Sequence, residues 1–248
     1  MFKRLFKYHK TLAPKFWVND NEINPLVSQS LQMISFEYMR YLGTVLGLPI
    51  TSSDITDILI HGSLTNYYWD DHSDVDLCII SDLTKLNEIM PRLNKFLFFN
   101  ATQHAWKSTF RPKFFNRNID IFIIDNSELK QKTTNTVDTF YSLIQNKWLV
   151  SPKRVPDAEL KKLKQMTYKR YRIIMRECKY ILRNKMEHEF IDTYIVALNR
   201  HRDNSVHNPH NCVMTSTQMA YKMVRNTGIL KKMKDISRKQ QSSRYTLK

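Results

Sequence analysis

The run Asp57-Ile-Leu-Ile-His-Gly-Ser-Leu-Thr-Asn-Tyr-Tyr-Trp-Asp-Asp-His-Ser-Asp-Val-Asp76 decides the fold of this chain. Asp57 to His61 and Asp74 to Ile80 are short, β-branched-rich runs bounded by polar residues, and they read as two buried strands. Gly62 to Ser73 is a polar and aromatic connection between them. Gly62-Ser63 falls at the end of the first strand, where the glycine lets backbone approach an oxyanion and the serine adds a hydroxyl and an N–H. The residues that follow are expected to turn into a helix whose N-terminus points at a bound phosphate.

In Asp74-Val-Asp76 the strand period of two sends both carboxylates to one face, with Val75 and Leu77 on the other. Carboxylates that close repel each other unless a cation sits between them, and a core face would reject the pair on desolvation grounds. They are expected at a strand edge, facing a hard, oxygen-seeking ion such as Mg²⁺. Asn118-Ile-Asp-Ile-Phe-Ile-Ile124 is a third strand, in which Asp120 stands among isoleucines and a phenylalanine and needs a partner or a metal. If the two acidic strands are neighbours, three carboxylates converge. With Mg²⁺ and the phosphates of a nucleotide, they form the two-metal arrangement of phosphoryl or nucleotidyl transfer.

Outward from this core, Asn24-Pro25 introduces an amphipathic helix over Leu26 to Gly43, with Leu31, Ile34, Tyr38, Tyr41 and Leu42 at helical spacing. Gly47-Leu-Pro49 ends it. Asp82 to Asn100 reads as a helix broken at Pro91. Ser151-Pro-Lys-Arg-Val-Pro156 reads as a linker. A basic helix over Ala158 to Arg183 follows, with Leu160, Leu163, Met166, Tyr171, Ile174, Cys178 and Ile181 as its inner face. Met186 to Leu198 and Thr215 to Lys234 read as two further helices, separated by a polar loop over Asn199 to Asn211. The fold class is therefore α/β (α+β): a small mixed-sheet core with an all-helical C-terminal domain. Its expected parts are a basic segment and helix at 1–50 packing on the core, the core at 51–152, the basic helical domain at 153–236 and a flexible tail at 237–248.

At 248 residues, with 42% hydrophobic and 25% charged, the chain is long enough for a real core and has the composition of a soluble globular protein. Only four glycines are present, Gly43, Gly47, Gly62 and Gly228, so neither G-x-G-x-x-G nor a P-loop can be written in it. The net charge of +16 is unevenly spread: the first 150 residues are close to neutral, while residues 151–248 hold 23 Lys and Arg against 8 Asp and Glu. Such an excess is the footprint of a surface that meets polyanions, or else a solvated helical surface. Three cysteines without a C-x-x-C imply no disulfide framework, and there is neither a signal-peptide core nor a run of about 18 apolar residues to span a bilayer. A cytoplasmic, membrane-independent protein is expected.

His61-Gly62-Ser63, then Asp74-Val-Asp76 after ten residues, then Asp120 in a later strand, resembles the DNA polymerase beta-like nucleotidyltransferase superfamily. The Gly-Ser, Asn-Tyr and Ser-Asp-x-Asp elements are similar to those of nucleotidyltransferases encoded in bacteriophage genomes. Tyr141-Ser142-Leu143, Lys147-Trp148, Pro152 and the basic helical segment also look like that group. The specific motifs cover about residues 55 to 125. The resemblance implies that Asp74 and Asp76 bind two Mg²⁺ (or Mn²⁺) ions with the NTP, and that Asp120 binds the catalytic metal and activates the attacking hydroxyl. It also implies that Gly62 and Ser63 hold the triphosphate, with Ser73 of the Ser-Asp-x-Asp element beside them. His61 departs from the small or apolar residue usual before Gly-Ser, and either crowds the site or binds phosphate.

Other residues leave two readings open. Lys107, Arg111, Lys113 and Arg117 are loop charges or reach the triphosphate, and Lys113 is taken as nucleotide-binding. Tyr67, Tyr68 and Trp69 stack on a base or pack beneath the connection. His201, His207, His210 and Cys212 match no familiar zinc spacing and read as a plain loop. The resulting expectation is transfer of a nucleoside monophosphate from an NTP to a hydroxyl, with RNA such as a tRNA 3′ end as acceptor. The alternative is a catalytically inactive module of the same fold that binds nucleic acid or a virion protein. Lys161, Lys162, Lys164, Lys169, Arg170, Arg172, Arg176 and Arg183 are the acceptor-binding candidates. One helix can aim only four or five of them the same way.

Overall fold

The computed structural model describes residues 6–134, 138–206 and 215–245. The chain is mixed α/β and divides into a sheet unit, Tyr8–Arg154, and a helical unit from Val155 onward that also takes Phe6 and Lys7.

The sheet unit opens with a small antiparallel pair, β1 (Trp17–Asn19) and β2 (Glu22–Ile23). Helix α1 (Pro25–Arg40) follows; the Asn24 side chain accepts from Leu26 N–H at 3.0 Å and proline occupies the first turn, as helix starts favour. It passes into a π-helical turn, Tyr41–Val45. The main sheet contains β3 (Ile55–His61), β4 (Val75–Ser81), β5 (Lys113–Phe114), β6 (Arg117–Asp125), β7 (Phe140–Ser142) and β8 (Lys147–Val150). Their spatial order is β5-β6-β4-β3-β7-β8, with β4 and β6 parallel and every other pair antiparallel. A parallel pair needs a crossover, here supplied by α2 (Thr84–Ile89) and α3 (Lys95–Phe110).

Alternation along the strands gives the sheet two different faces. Ile58 and Ile60 of β3, Val75, Leu77 and Ile79 of β4, and Ile119, Ile121 and Ile123 of β6 join the large core, together with Leu31, Tyr38 and Met39 of α1, Leu42 of the π-helical turn, and Phe99 and Trp106 of α3. The other face carries Asp76, Asp120 and His61 above a smaller apolar cluster of Leu59, Cys78, Ile80, Ile124 and Phe140. The acidic residues thus lie on the face away from the main core, as the period of two requires. After β6, α4 (Leu129–Thr133) places Leu129 against that smaller cluster.

Three features differ from the sequence expectation. The broken helix runs well beyond Asn100, because Thr102 and Trp106 anchor its second half in the core. β7 and β8, which no periodicity signals, form a hairpin with Asn146 in the left-handed region at φ 51°. Asp57 is buried and ties that hairpin to β3: it accepts from Ile58 N–H at 2.8 Å, Ser142 Oγ–H at 2.7 Å and the Gln145 amide at 2.8 Å.

The helical unit contains α5 (Asp157–Arg183), α6 (His188–Val206), α7 (Ser216–Asn226) and α8 (Ile229–Tyr245). Tyr171, Ile174, Cys178 and Ile181 form the buried stripe of α5, while Leu160 and Leu163 are half-buried and Met166 is exposed, so the expected inner face holds only from Thr167 onward. Residues 199–206 of the expected loop are helical; His207, His210 and Cys212 lie outside the described residues. Gly228, at φ +76°, ends α7 in the left-handed conformation that glycine alone adopts freely and splits the expected single helix in two. The tail expected to fray from 237 is helical through Tyr245, with the buried Ser237 hydroxyl donating to Asp192 at 2.7 Å. Among the described residues no helix is long and apolar enough to cross a membrane.

Candidate active site

The register of β4 against β6 sets Asp76 directly opposite Asp120, and that of β3 against β4 sets His61 opposite Asp76. Asp74 stands immediately before β4, where the Asn118 amide donates to it at 3.4 Å. Asp74 and Asp120 line one open cavity of about 470 Å³, which Lys107, Arg111 and Lys113 share. Two of the three acids are therefore cross-strand neighbours, and the third shares a cavity with one of them.

Gly62 adopts φ +78°, and a Cβ there would collide with the Asp76 carboxylate, so both backbone conformation and space demand glycine. The turn Gly62–Thr65 is held from behind. Thr65 Oγ lies 2.8 Å from the Gly62 carbonyl and 2.6 Å from Thr139 Oγ, and the Asn66 amide donates to the same carbonyl at 2.8 Å and to Thr139 Oγ at 2.7 Å. This turn is 3-10 helical and only four residues long, so the helix expected to aim its N-terminus at phosphate does not form. Thr65, Asn66 and Thr139 hold the turn in place, and spacing alone does not mark them.

One expected ligand, Ser73, and one charge left open between two readings, Arg117, are engaged elsewhere. Ser73 is buried, its hydroxyl accepting from Asp70 N–H at 2.9 Å, so it closes the connecting loop rather than facing a nucleotide. Arg117 is buried as well; one terminal nitrogen donates to the carbonyls of Asp70 at 2.8 Å and Ser73 at 2.7 Å. It latches the loop that delivers Asp74 and is not a phosphate holder. Replacing it with methionine keeps the stem and removes both charged hydrogen bonds, at an expected cost of about 2 kcal/mol in urea unfolding. Equal midpoints for the two proteins would remove Arg117 from that role.

The aromatic connection also takes its structural reading. Tyr67 and Tyr68 are buried, Tyr67 donates to Asp20 at 3.0 Å, and Trp69 stacks on His9 at 3.8 Å between ring centres while donating to the Thr11 carbonyl at 3.1 Å. Burial, with Asp138 and Asp76 nearby, pushes the Tyr68 hydroxyl well above its ordinary range. His61 packs against Phe140 and edge-on to Phe122. Burial pushes its imidazole down to about 3, Lys132 acting in the same direction. A neutral ring carries no charge to offer a phosphate, and its Nε2 has no hydrogen-bond partner. Cys78 and Cys178 are free, buried thiols, both pushed up by burial, Cys178 to about 11.

An all-carboxylate donor set is what hard divalent cations take, and strand register brings the donors to one region, so the residue types suit Mg²⁺ or Mn²⁺. The side chains themselves are not gathered as expected. Among the described residues no group of three His, Cys, Asp or Glu side chains is arranged to hold a metal, and Lys107 is ion-paired to Asp120. Lys107 lies on α3, along the border of β6 beyond its pairing with β5, and reaches Asp120 from there. No family model matches the chain, and no curated protein matches it.

Proposed function

We propose that the chain is a metal-dependent nucleotidyltransferase that moves a nucleoside monophosphate from an NTP to an acceptor hydroxyl and releases pyrophosphate. The observation that carries this reading is the placement of Asp76 opposite Asp120, beside a glycine whose missing side chain leaves room at the Asp76 carboxylate. Asp74, Asp76 and Asp120 would hold the divalent ions. When bound, those ions neutralise triphosphate charge and lower the pKa of the attacking hydroxyl. Gly62 and Ser63 offer backbone N–H groups and a hydroxyl to the triphosphate, and Arg111 and Lys113 line the cavity beside Asp74 as further charge. Lys107 would leave Asp120 for a phosphate as substrate enters. Positioning and charge neutralisation supply the rate, and no covalent enzyme intermediate is needed.

The basic helical unit favours RNA as acceptor, with a tRNA 3′ end as one form of it. A second reading has its own observation: with Lys107 on Asp120 and no gathered metal group, the chain would keep the fold and bind nucleic acid or a virion protein without chemistry. Incubation with each labelled NTP, Mg²⁺ and total RNA separates the two. Label on RNA supports the transferase; no label with any NTP supports the binding module. Ser63→Ala is expected to weaken NTP binding about tenfold or more, the loss of one hydrogen bond to a charged group of ~1.5–3 kcal/mol, by calorimetry with Mg²⁺. Undiminished affinity would take Ser63 out of the site.

A further inference from the structure

The helical unit carries a groove that nothing above uses. Two cavities of about 300 and 260 Å³ adjoin along α5 and α6 and share Glu177 and Tyr194. Tyr180 and Phe190 line the first and are 60% and 51% exposed, a large apolar area for a surface otherwise rich in charge. Ile173, Ala197 and Leu198 continue the apolar floor. Glu177 is the one carboxylate among the lining residues, and it accepts from Tyr194 O–H at 2.8 Å.

Beside this groove runs a stripe of cations. Lys169, Arg172, Arg176, Lys179 and Arg183 recur every three or four residues, which places them on one side of α5, and all five are exposed. The fourteen helical steps from Lys169 to Arg183 make the stripe about 21 Å long. Arg176 belongs to both stripe and groove. Arg170, by contrast, lies off the stripe; it lines the second cavity and donates to Thr217 at 2.6 Å. Aromatic faces flanked by an exposed row of Lys and Arg fit one chemistry: bases that are free to stack, on a backbone of phosphates.

We infer that the α5–α6 groove binds single-stranded nucleic acid, with unpaired bases stacked on Tyr180 and Phe190 and phosphates following the stripe. The inference rests on the proposal that the acceptor is nucleic acid and narrows it to an unpaired segment. A duplex keeps its bases stacked on one another and has no free face to offer Tyr180 or Phe190.

The test is fluorescence anisotropy of the intact chain with a labelled twelve-nucleotide oligouridylate and with an RNA duplex of the same length, across a salt series. The single strand is expected to bind at least about fivefold tighter, and Tyr180→Ala and Phe190→Ala each to weaken it about 5- to 100-fold, as loss of one stacking contact does. Arg172→Gln with Arg176→Gln should lower the salt slope by about 1.4, at about 0.7 per phosphate contact. Both aromatic positions are exposed, and thermal melting by circular dichroism checks that the variants fold. Equal affinity for the duplex overturns the inference, as does binding that survives both alanine substitutions. Displacement by a polyglutamate peptide at the same charge concentration also overturns it, in favour of an acidic protein partner. Transfer of label is measured separately on the wild-type chain. Tight single-strand binding without transfer would sink the enzymatic reading alone, and transfer with normal binding by the groove variants would sink the groove alone.

Discussion

Asp76→Asn is expected to reduce transfer of a labelled nucleotide by at least about a thousandfold, because removing several kcal/mol of charge stabilisation from the transition state costs that many decades. The amide keeps the volume of the carboxylate, so the strand and the room left by Gly62 are preserved. Stability should hold or rise by up to about 1 kcal/mol, since Asp76 faces Asp120 across two paired strands and like charges in that relation repel. Lost activity with an undiminished melting temperature is the signature of a functional acid. Unchanged transfer would exclude this site, and a large loss of stability would make Asp76 a structural residue.

The second large effect is on acid stability and comes from His61. Its imidazole is held down to about 3 by burial between Phe122 and Phe140, whereas an unfolded histidine titrates near its ordinary 6.5. Between those values the unfolded chain binds the proton and the folded chain does not. The contribution is therefore complete above pH 6.5 and is lost as pH falls toward 3, by about 2 kcal/mol at pH 5 and about 4 kcal/mol at pH 3.5. His61→Leu removes the titrating group and one buried nitrogen, Nε2, that has no hydrogen-bond partner. Urea unfolding at pH 7.5, 5 and 3.5 should show the variant gaining on the wild type by those amounts. Parallel pH curves for the two proteins would refute the burial argument.

The three central strands were legible because their residues satisfy two demands at once. Isoleucine, leucine and valine fill one face, and the acids interrupt the other at a spacing only strands explain. Gly62 was legible for a related reason, as the single glycine at a strand end. The hairpin of β7 and β8 was not, since Phe140 to Ser142 owes its place to Asp57, 85 residues away from Ser142 in sequence. Ser73 reads as a ligand, and Arg117 stays open between two roles, for the same cause: a hydroxyl or a guanidinium in a loop looks available until the backbone it binds is known. The second half of α3 and the end of α8 escaped because their apolar anchors are sparse: Trp106 is the buried apolar side chain past Asn100 in one, and past Lys234 the other buries the hydroxyl side chain of Ser237. There the Lys, Arg and Gln that read as a loose tail are ordinary helix formers. The carboxylates' side-chain arrangement escaped because the partner of Asp120 comes from α3, which periodicity had ended ten residues too early.

The pairing of β5 with β6 covers only Arg117 and Asn118, so among the described residues the rest of β6 borders no strand on that side. A nine-residue strand with isoleucine at 119, 121, 123 and 124 would ordinarily be a template for other chains to pair with. Here α3 occupies that border: the Gln103 amide donates to the Ile121 carbonyl and Lys107 pairs with Asp120. Lys107, which lines the cavity and pairs with Asp120, thus acts with Gln103 to guard the protein against sheet-to-sheet self-association. Any step that lifts α3 away would expose a sticky edge as well as open the cavity.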